Sequence, residues 1–127
     1  MRILYKALCY KLNGIFFYVH NKLGRFCEHK QYADAVEVIL KTKKIKYKRE
    51  TEIPIKFAGG EIKGNRLDFL IEDKIPLEIK AERFITSKDY VQMKRYLRAT
   101  EKKLGIIVNF REKSLKPKRI INPQGEE

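Results

Sequence analysis

The sequence predicts an α/β fold of three layers, helices covering both faces of a mixed sheet, on three observations. Two stretches of apolar residues at helical spacing open the chain. From Tyr47 the apolar period shortens to two, and a later helical stretch separates that strand region from another apolar strand. The order is α-α-β-β-β-α-β with a short final strand. It implies an antiparallel meander followed by a right-handed crossover to a parallel neighbour. A chain of 127 residues suits one compact domain over 1–127.

Residues 1–27 hold five basic side chains (Arg2, Lys6, Lys11, Lys22, Arg25) and no acid. Ile3, Leu4, Ala7, Leu8 and Leu12 recur at helical spacing; Asn13-Gly14 is a possible break, after which Ile15, Phe16, Val19 and Leu23 resume the pattern up to Gly24. A second helix is read from about Glu28 to Lys41, with Tyr32, Ala35, Val36, Ile39 and Leu40 as its buried stripe. Residues 47–57 read as one strand ended by an Ala58-Gly59-Gly60 turn, and Arg66–Ile71 and Ile75–Ala81 as two more. Thr86-Ser-Lys-Asp89 is a capping pattern that starts a helix running to about Lys103, with Tyr90, Met93 and Leu97 apolar and Tyr96 a further candidate for that stripe. Leu104–Asn109 is apolar throughout, as in a strand covered on both faces. Arg119–Asn122 reads as an edge strand, and 123–127 as a loose tail.

The charge balance points to a partner. Lys plus Arg number 29 against 16 Asp plus Glu, a net charge of +13. Such an excess suits a polyanion, with a merely solvated lysine surface as the plain alternative. The densest cluster puts six basic residues into Lys41–Arg49, readable as a phosphate-contacting patch or as a solvated helix end. Cys9 and Cys27 have no metal-ligand spacing and are expected as free thiols. No run approaches the ~18 apolar residues of a membrane span, so a soluble, cytoplasmic protein away from membranes is expected.

The second hairpin carries the chemistry. By strand alternation Leu67, Phe69 and Ile71 share one face with Asp68 opposite, while Glu78 and Lys80 lie opposite Ile75, Leu77, Ile79 and Ala81. A three-residue connection, 72–74, keeps apolar against apolar by pairing Ile71 with Ile75, Phe69 with Leu77 and Asp68 with Glu78. Opposed Cβ atoms lie ~5 Å apart, and two carboxylates at about that separation repel by roughly 3 kcal/mol. Lys80, one pleat along, can offset part of this, and a hard divalent cation held by oxygens more.

Asp68, nine intervening residues and Glu78-Ile79-Lys80 resemble the D…(D/E)xK signature of the PD-(D/E)XK nuclease superfamily. Gln92-Met-Lys-Arg-Tyr96 resembles the QxxxY motif of its exonuclease-like branch. More narrowly, Leu23-Gly24, Tyr32, the 68–80 block, residues 92–97, 104–110 and 118–122 resemble the bacterial GxxExxxR family, although that family's helix-one glutamate position falls on His29, with Glu28 one residue early.

The resemblance implies a restriction-endonuclease-like fold of core order αβββαβ and a metal-dependent nuclease, with an inactive nucleic-acid-binding module or a protein-interaction domain as alternatives. Asp68, Glu78 and the Ile79 carbonyl would hold Mg²⁺, for which Mn²⁺ could substitute. Glu28 would be an extra ligand or a helix-start residue, and His29 a weaker candidate. Lys80 would orient or deprotonate the attacking water, or stabilise developing negative charge. Gln92 and Tyr96 would orient the site, unless Tyr96 is plain core. Lys43, Lys44, Lys46, Lys48, Arg49, Lys88, Lys94, Arg95 and Arg98 would contact the nucleic-acid backbone, DNA being favoured over RNA; a homodimer is compatible with the sequence.

Overall fold

In the computed structural model, which describes residues 4–64 and 66–127, the elements run α1 Lys6–Leu23, α2 His29–Thr42, β1 Tyr47–Glu52, β2 Ile55–Phe57, β3 Gly60–Ile62, β4 Arg66–Ile71, β5 Ile75–Lys80, α3 Ser87–Thr100, β6 Leu104–Asn109 and β7 Lys118–Ile121. Strands β1-β4-β5-β6-β7 form one mixed sheet, in that order. Only β5–β6 is parallel, because α3 is the crossover between them.

One sheet face packs on α1 and α2 around Leu12, Phe16, Tyr32, Val36, Phe69, Leu77 and Ile106; the other packs on α3 through Met93, Leu97, Ile107 and Ile120. At Gly105 on β6 a Cβ would lie 2.5 Å from Met93 Sδ, so the missing side chain lets α3 sit tightly on the sheet. No helix among the described residues is long and apolar enough to cross a membrane.

Several expectations are corrected. Helix α1 runs unbroken through Asn13-Gly14. An interior glycine costs about 1 kcal/mol, and the complete burial of Leu12, Ile15 and Phe16 around it outweighs that. The helix ends at Gly24, whose φ of 75° suits glycine. Arg2 and Ile3 lie outside the described residues. The strand expected over 47–57 is two, because Pro54 cannot donate to a ladder. Strand β1 joins the main sheet, whereas β2 pairs only with the unforeseen β3. The tail is not loose: the Gly125 N–H donates to the Asn122 carbonyl at 3.0 Å and the Glu126 N–H to Glu101 at 2.7 Å. Helix α3 stops at Thr100, before Lys103, because Glu101 turns left-handed with φ 58°.

The hairpin register agrees with the pleat argument at Ile71↔Ile75 and Phe69↔Leu77. Glu72 and Asp73 make the turn with φ of 53° and 56°, closed by the Lys74 N–H on the Ile71 carbonyl at 2.9 Å. The alternation shifts at the other end of β4. Leu67 is buried beside Met93, Tyr96 and Ile107 on the α3 side, not with Phe69 and Ile71. Across it on β1, between the pairs Arg49↔Phe69 and Thr51↔Leu67, Glu50 holds a φ of 49°.

Candidate active site

Beyond Phe69↔Leu77 the two strands are joined by side chains. Glu78 Oε1 accepts the Asp68 N–H at 3.1 Å, and Asp68 Oδ2 accepts the Ile79 N–H at 2.7 Å. Each acid therefore caps a backbone donor of the opposite strand where the ladder opens, which brings both carboxylates to one end of the sheet. They line a cleft of about 450 Å³ with Phe26, His29, Lys80 and Arg111. Burial, and next the nearby Asp68 charge, push the Glu78 carboxyl up to about 7.

Lys80 offsets Glu78 in part through its charge, but its direct partner is Asp89. Its Nζ pairs with Asp89 Oδ1 at 3.3 Å. Burial would lower the Lys80 pKa, but Asp89, together with Glu78 and Glu82, raises it above the ordinary lysine value. Asp89 is the third residue of α3 and also accepts the Thr86 N–H at 2.9 Å through Oδ2. The capping pattern was legible in the sequence; that its second oxygen grips Lys80 was not, since nothing local marks that contact.

Gln92 and Tyr96 do reach the site from α3. With Glu78, Lys80 and Asp89 they line a cavity of about 10 Å³ beneath the helix, about the room that one water needs. Gln92 is exposed at its outer edge, and Tyr96 is 4% exposed. The Tyr96 hydroxyl is buried with no hydrogen-bond partner among the described residues. Burial, and next the Glu78 charge, drive its pKa far up, so it stays protonated.

On the other side, Glu28 is the N-cap of α2 and forms a capping box with Gln31, whose Oε1 accepts the Glu28 N–H at 2.8 Å. Its side chain reaches the N-terminus of its own helix, the helix-start reading, and Glu28 also lines the cleft that holds Asp68 and Glu78. Its neighbour His29 lies within hydrogen-bond reach of the acids, Nε2 being 3.1 Å from Asp68 Oδ2.

The basic residues divide. Arg49 is corrected: it is bound to Asp34 and Glu37, each at 2.8 Å, and its guanidinium lies 5.7 Å from the Phe69 ring centre, so it is a structural cation. Lys43, Lys44 and Lys46 are exposed but follow the C-terminus of α2. That helix starts at the site, and at ~1.5 Å per residue its 14 residues carry the chain about 20 Å off. Exposed Lys48 sits on β1 opposite Leu70, also away from the acids. Lys88 is exposed at the start of α3, next to the site, and Lys94, Arg95 and Arg98 are exposed farther along it. Sequence reasoning passed over Arg111 and the buried Asn109 near the cleft. Asn109 stands opposite Lys80 on β6 and is 1% exposed.

The donor chemistry suits a hard divalent cation: two crowded carboxylates, of which Asp68 Oδ1 and Glu78 Oε2 accept no hydrogen bond among the described residues. No group of three His, Cys, Asp or Glu poised for a metal occurs among the described residues. The protein therefore offers a pair of acids and not a closed cage.

Comparison with known proteins agrees with this architecture. The crystal structure of SSO0001 is similar at 24% identity and a TM-score of 0.56. The match covers 74% of this chain and 50% of that one, so the chain spans half the length of that structure, and the likeness concerns the fold alone. No curated protein matches the chain. A profile of the PD-(D/E)XK nuclease superfamily matches residues 6–120. With the mixed five-stranded sheet between helical layers and a restriction-endonuclease-like fold, the chain belongs to the PD-(D/E)XK nuclease superfamily.

Proposed function

We propose that this domain, residues 1–127, hydrolyses phosphodiester bonds of nucleic acid, DNA in preference to RNA, in the cleft at the open end of β4 and β5. The observation that carries the reading is the convergence of Asp68, Glu78 and Lys80 there, with Glu78 raised to about 7 by burial and by Asp68. A raised carboxyl pKa beside a like charge in a cleft is a mark of function more than of stability.

Asp68, Glu78 and the Ile79 carbonyl would hold Mg²⁺, or Mn²⁺ in its place. The cation supplies charge stabilisation at the phosphate and a lower pKa for bound water. Lys80, kept protonated by Asp89, acts as a cation that offsets negative charge developing on the phosphate, in preference to acting as a base. Gln92 and the protonated Tyr96 hydroxyl orient groups on the α3 side of the acids. Lys88 and the outer basic residues of α3 add affinity independent of sequence. The residues that resemble the GxxExxxR family support a place in that branch, with His29 where its glutamate would stand.

The test is cleavage of labelled single- and double-stranded DNA and of RNA with Mg²⁺ or Mn²⁺, with and without chelator. Product that vanishes in chelator and in Asp68→Asn is expected; product from both variant and parent in chelator would sink the reading. Glu28, engaged in the capping box of α2, favours a second reading: a binding module of the same fold without turnover. That reading expects salt-sensitive binding that chelator leaves intact and no product with any cation.

A further inference from the structure

Two exposed phenylalanines stand beside the cleft, and nothing in the folding of the domain calls for them. Phe26, in the loop between α1 and α2, is 74% exposed, and Phe84, between β5 and α3, is 67% exposed. Each lies against arginine. The Arg25 and Arg111 guanidinium carbons are 4.9 and 5.5 Å from the Phe26 ring centre, and that of Arg83 is 5.3 Å from Phe84. Phe26 and Arg111 line the same cleft as Asp68 and Glu78, and so does Glu82, two residues before Phe84. Single exposed apolar residues are ordinary on protein surfaces. Two aromatic–arginine groups, one lining the cleft and one next to a residue that lines it, are not accounted for that way.

The backbones beneath these rings are held firmly. The Tyr32 hydroxyl donates to the Gly24 carbonyl at 2.6 Å and accepts the Cys27 N–H at 3.1 Å, bracketing Phe26. Arg25 Nε donates to the Arg111 carbonyl and Arg111 Nε to the Arg25 carbonyl, both at 2.9 Å. Asn109 ties in the second loop: its Oδ1 accepts the N–H groups of Glu82 and Arg111 at 3.1 and 3.2 Å, and its Nδ2 donates to the Glu82 carbonyl at 2.7 Å. A fixed backbone under an open ring reduces the ordering cost of binding. Arg25 and Arg111 have no carboxylate partner among the described residues, so their terminal N–H groups are available to phosphates.

We propose that Phe26 with Arg25 and Arg111, and Phe84 with Arg83, are stacking pads that hold unpaired nucleotides beside the acidic centre, so that the preferred substrate is single-stranded or locally unstacked nucleic acid. This rests on the reading of the cleft as a nuclease site. An aromatic face stacks any base with little sequence preference, and the adjoining guanidinium adds charge toward the backbone. An intact duplex keeps its bases stacked on one another and offers these rings only its phosphates and groove edges.

The experiment is anisotropy titration, in EDTA, of a labelled mixed-sequence oligonucleotide of about twenty nucleotides, enough to span one such site, as single strand and as duplex. Phe26→Ala and Phe84→Ala should each weaken single-strand binding by about tenfold while duplex binding stays within about twofold. Phe26→Trp should restore single-strand affinity, and melting temperatures should match the parent because both rings are exposed. Equal losses on both substrates, or no loss, would overturn the pads. So would a change confined to oligomeric state by light scattering, which would make the rings a contact between copies. Cleavage with Mn²⁺ keeps the two readings apart. A parent that never cleaves but shows Phe-dependent single-strand binding retains the pads and loses the nuclease, whereas alanine variants that bind and cleave single strands like the parent do the reverse.

Discussion

The Asp68 carboxylate accepts the Ile79 N–H at 2.7 Å, where a backbone carbonyl would have served had the β4–β5 ladder continued. An asparagine can keep that bond through its amide oxygen while losing the charge. Asp68→Asn should therefore fold like the parent, with an apo melting temperature unchanged or slightly higher, since like-charge crowding is relieved. It should bind Mn²⁺ far more weakly in calorimetric titration and lose cleavage on the order of a hundredfold or more. Parent-like Mn²⁺ affinity in this variant would show that the cation site is elsewhere.

Glu78 links pH to both stability and metal capture. Its carboxyl is raised from an ordinary 4.5 to about 7, so the folded state holds its proton more tightly than the unfolded chain. That contribution, on the order of 3 kcal/mol, is fully present below the unfolded value and is lost as pH rises through about 7. The apo protein should lose melting temperature between pH 5 and pH 8 more steeply than Glu78→Gln does. Mn²⁺ affinity should run the opposite way, climbing as Glu78 ionises and gaining up to about tenfold per pH unit below 7. Parallel slopes for parent and variant in the melts would remove Glu78 as the titrating group.

Lys80→Ala and Asp89→Asn separate charge from placement. Lys80→Ala removes a cation that acts on Glu78 and should leave Mn²⁺ affinity equal or higher while abolishing cleavage. Asp89→Asn keeps an oxygen for the Thr86 N–H but releases its hold on Lys80. It should cost about 1 kcal/mol of stability or less, lower the rate roughly tenfold with metal affinity intact, and shift the alkaline limb of the rate profile downward as the Lys80 pKa falls. An unchanged alkaline limb would mean that Asp89 is only a cap.

Tyr96→Phe gives two readouts of opposite sign. Deleting a buried hydroxyl without a partner should hold or raise the melting temperature, by up to about 1–3 kcal/mol in stability. If that hydroxyl serves the acidic centre, cleavage should nevertheless drop. Gln92→Ala, on an exposed side chain, should reduce cleavage with no stability change. Parent-like rates in both would make the QxxxY likeness incidental.

What the sequence revealed followed the range of each physical signal. Pleat alternation was enough for the hairpin register up to Phe69↔Leu77, because a slip would have inverted every apolar side chain. It failed at Leu67 and Asp68, where the strand turns over and side chains replace the ladder. The Thr86–Asp89 cap was legible as a local pattern, yet the long-range Asp89–Lys80 pair was not. Charge counting marked Lys41–Arg49 as a patch, but Arg49 is neutralised by Asp34 and Glu37 across the fold. The remaining lysines of that run are displaced from the acids by the length of α2. Gly14 looked like a break because propensity is local, whereas the burial that overrides it comes from residues distant in sequence.

Asn109 has a consequence for how this site can change over generations. Every partner its amide holds in the two rim loops is a main-chain atom, the N–H and carbonyl of Glu82 and the N–H of Arg111. Side chains at 82, 83, 84 and 111 are therefore not needed for that clasp. Substitutions there can alter what the rim prefers to grip while the loops keep their places. Asn109 itself has no such latitude: aspartate would lose the donor to Glu82, and leucine would leave all three main-chain groups without their partner. Variation should accordingly gather on the rim, and constancy at the single amide beneath it.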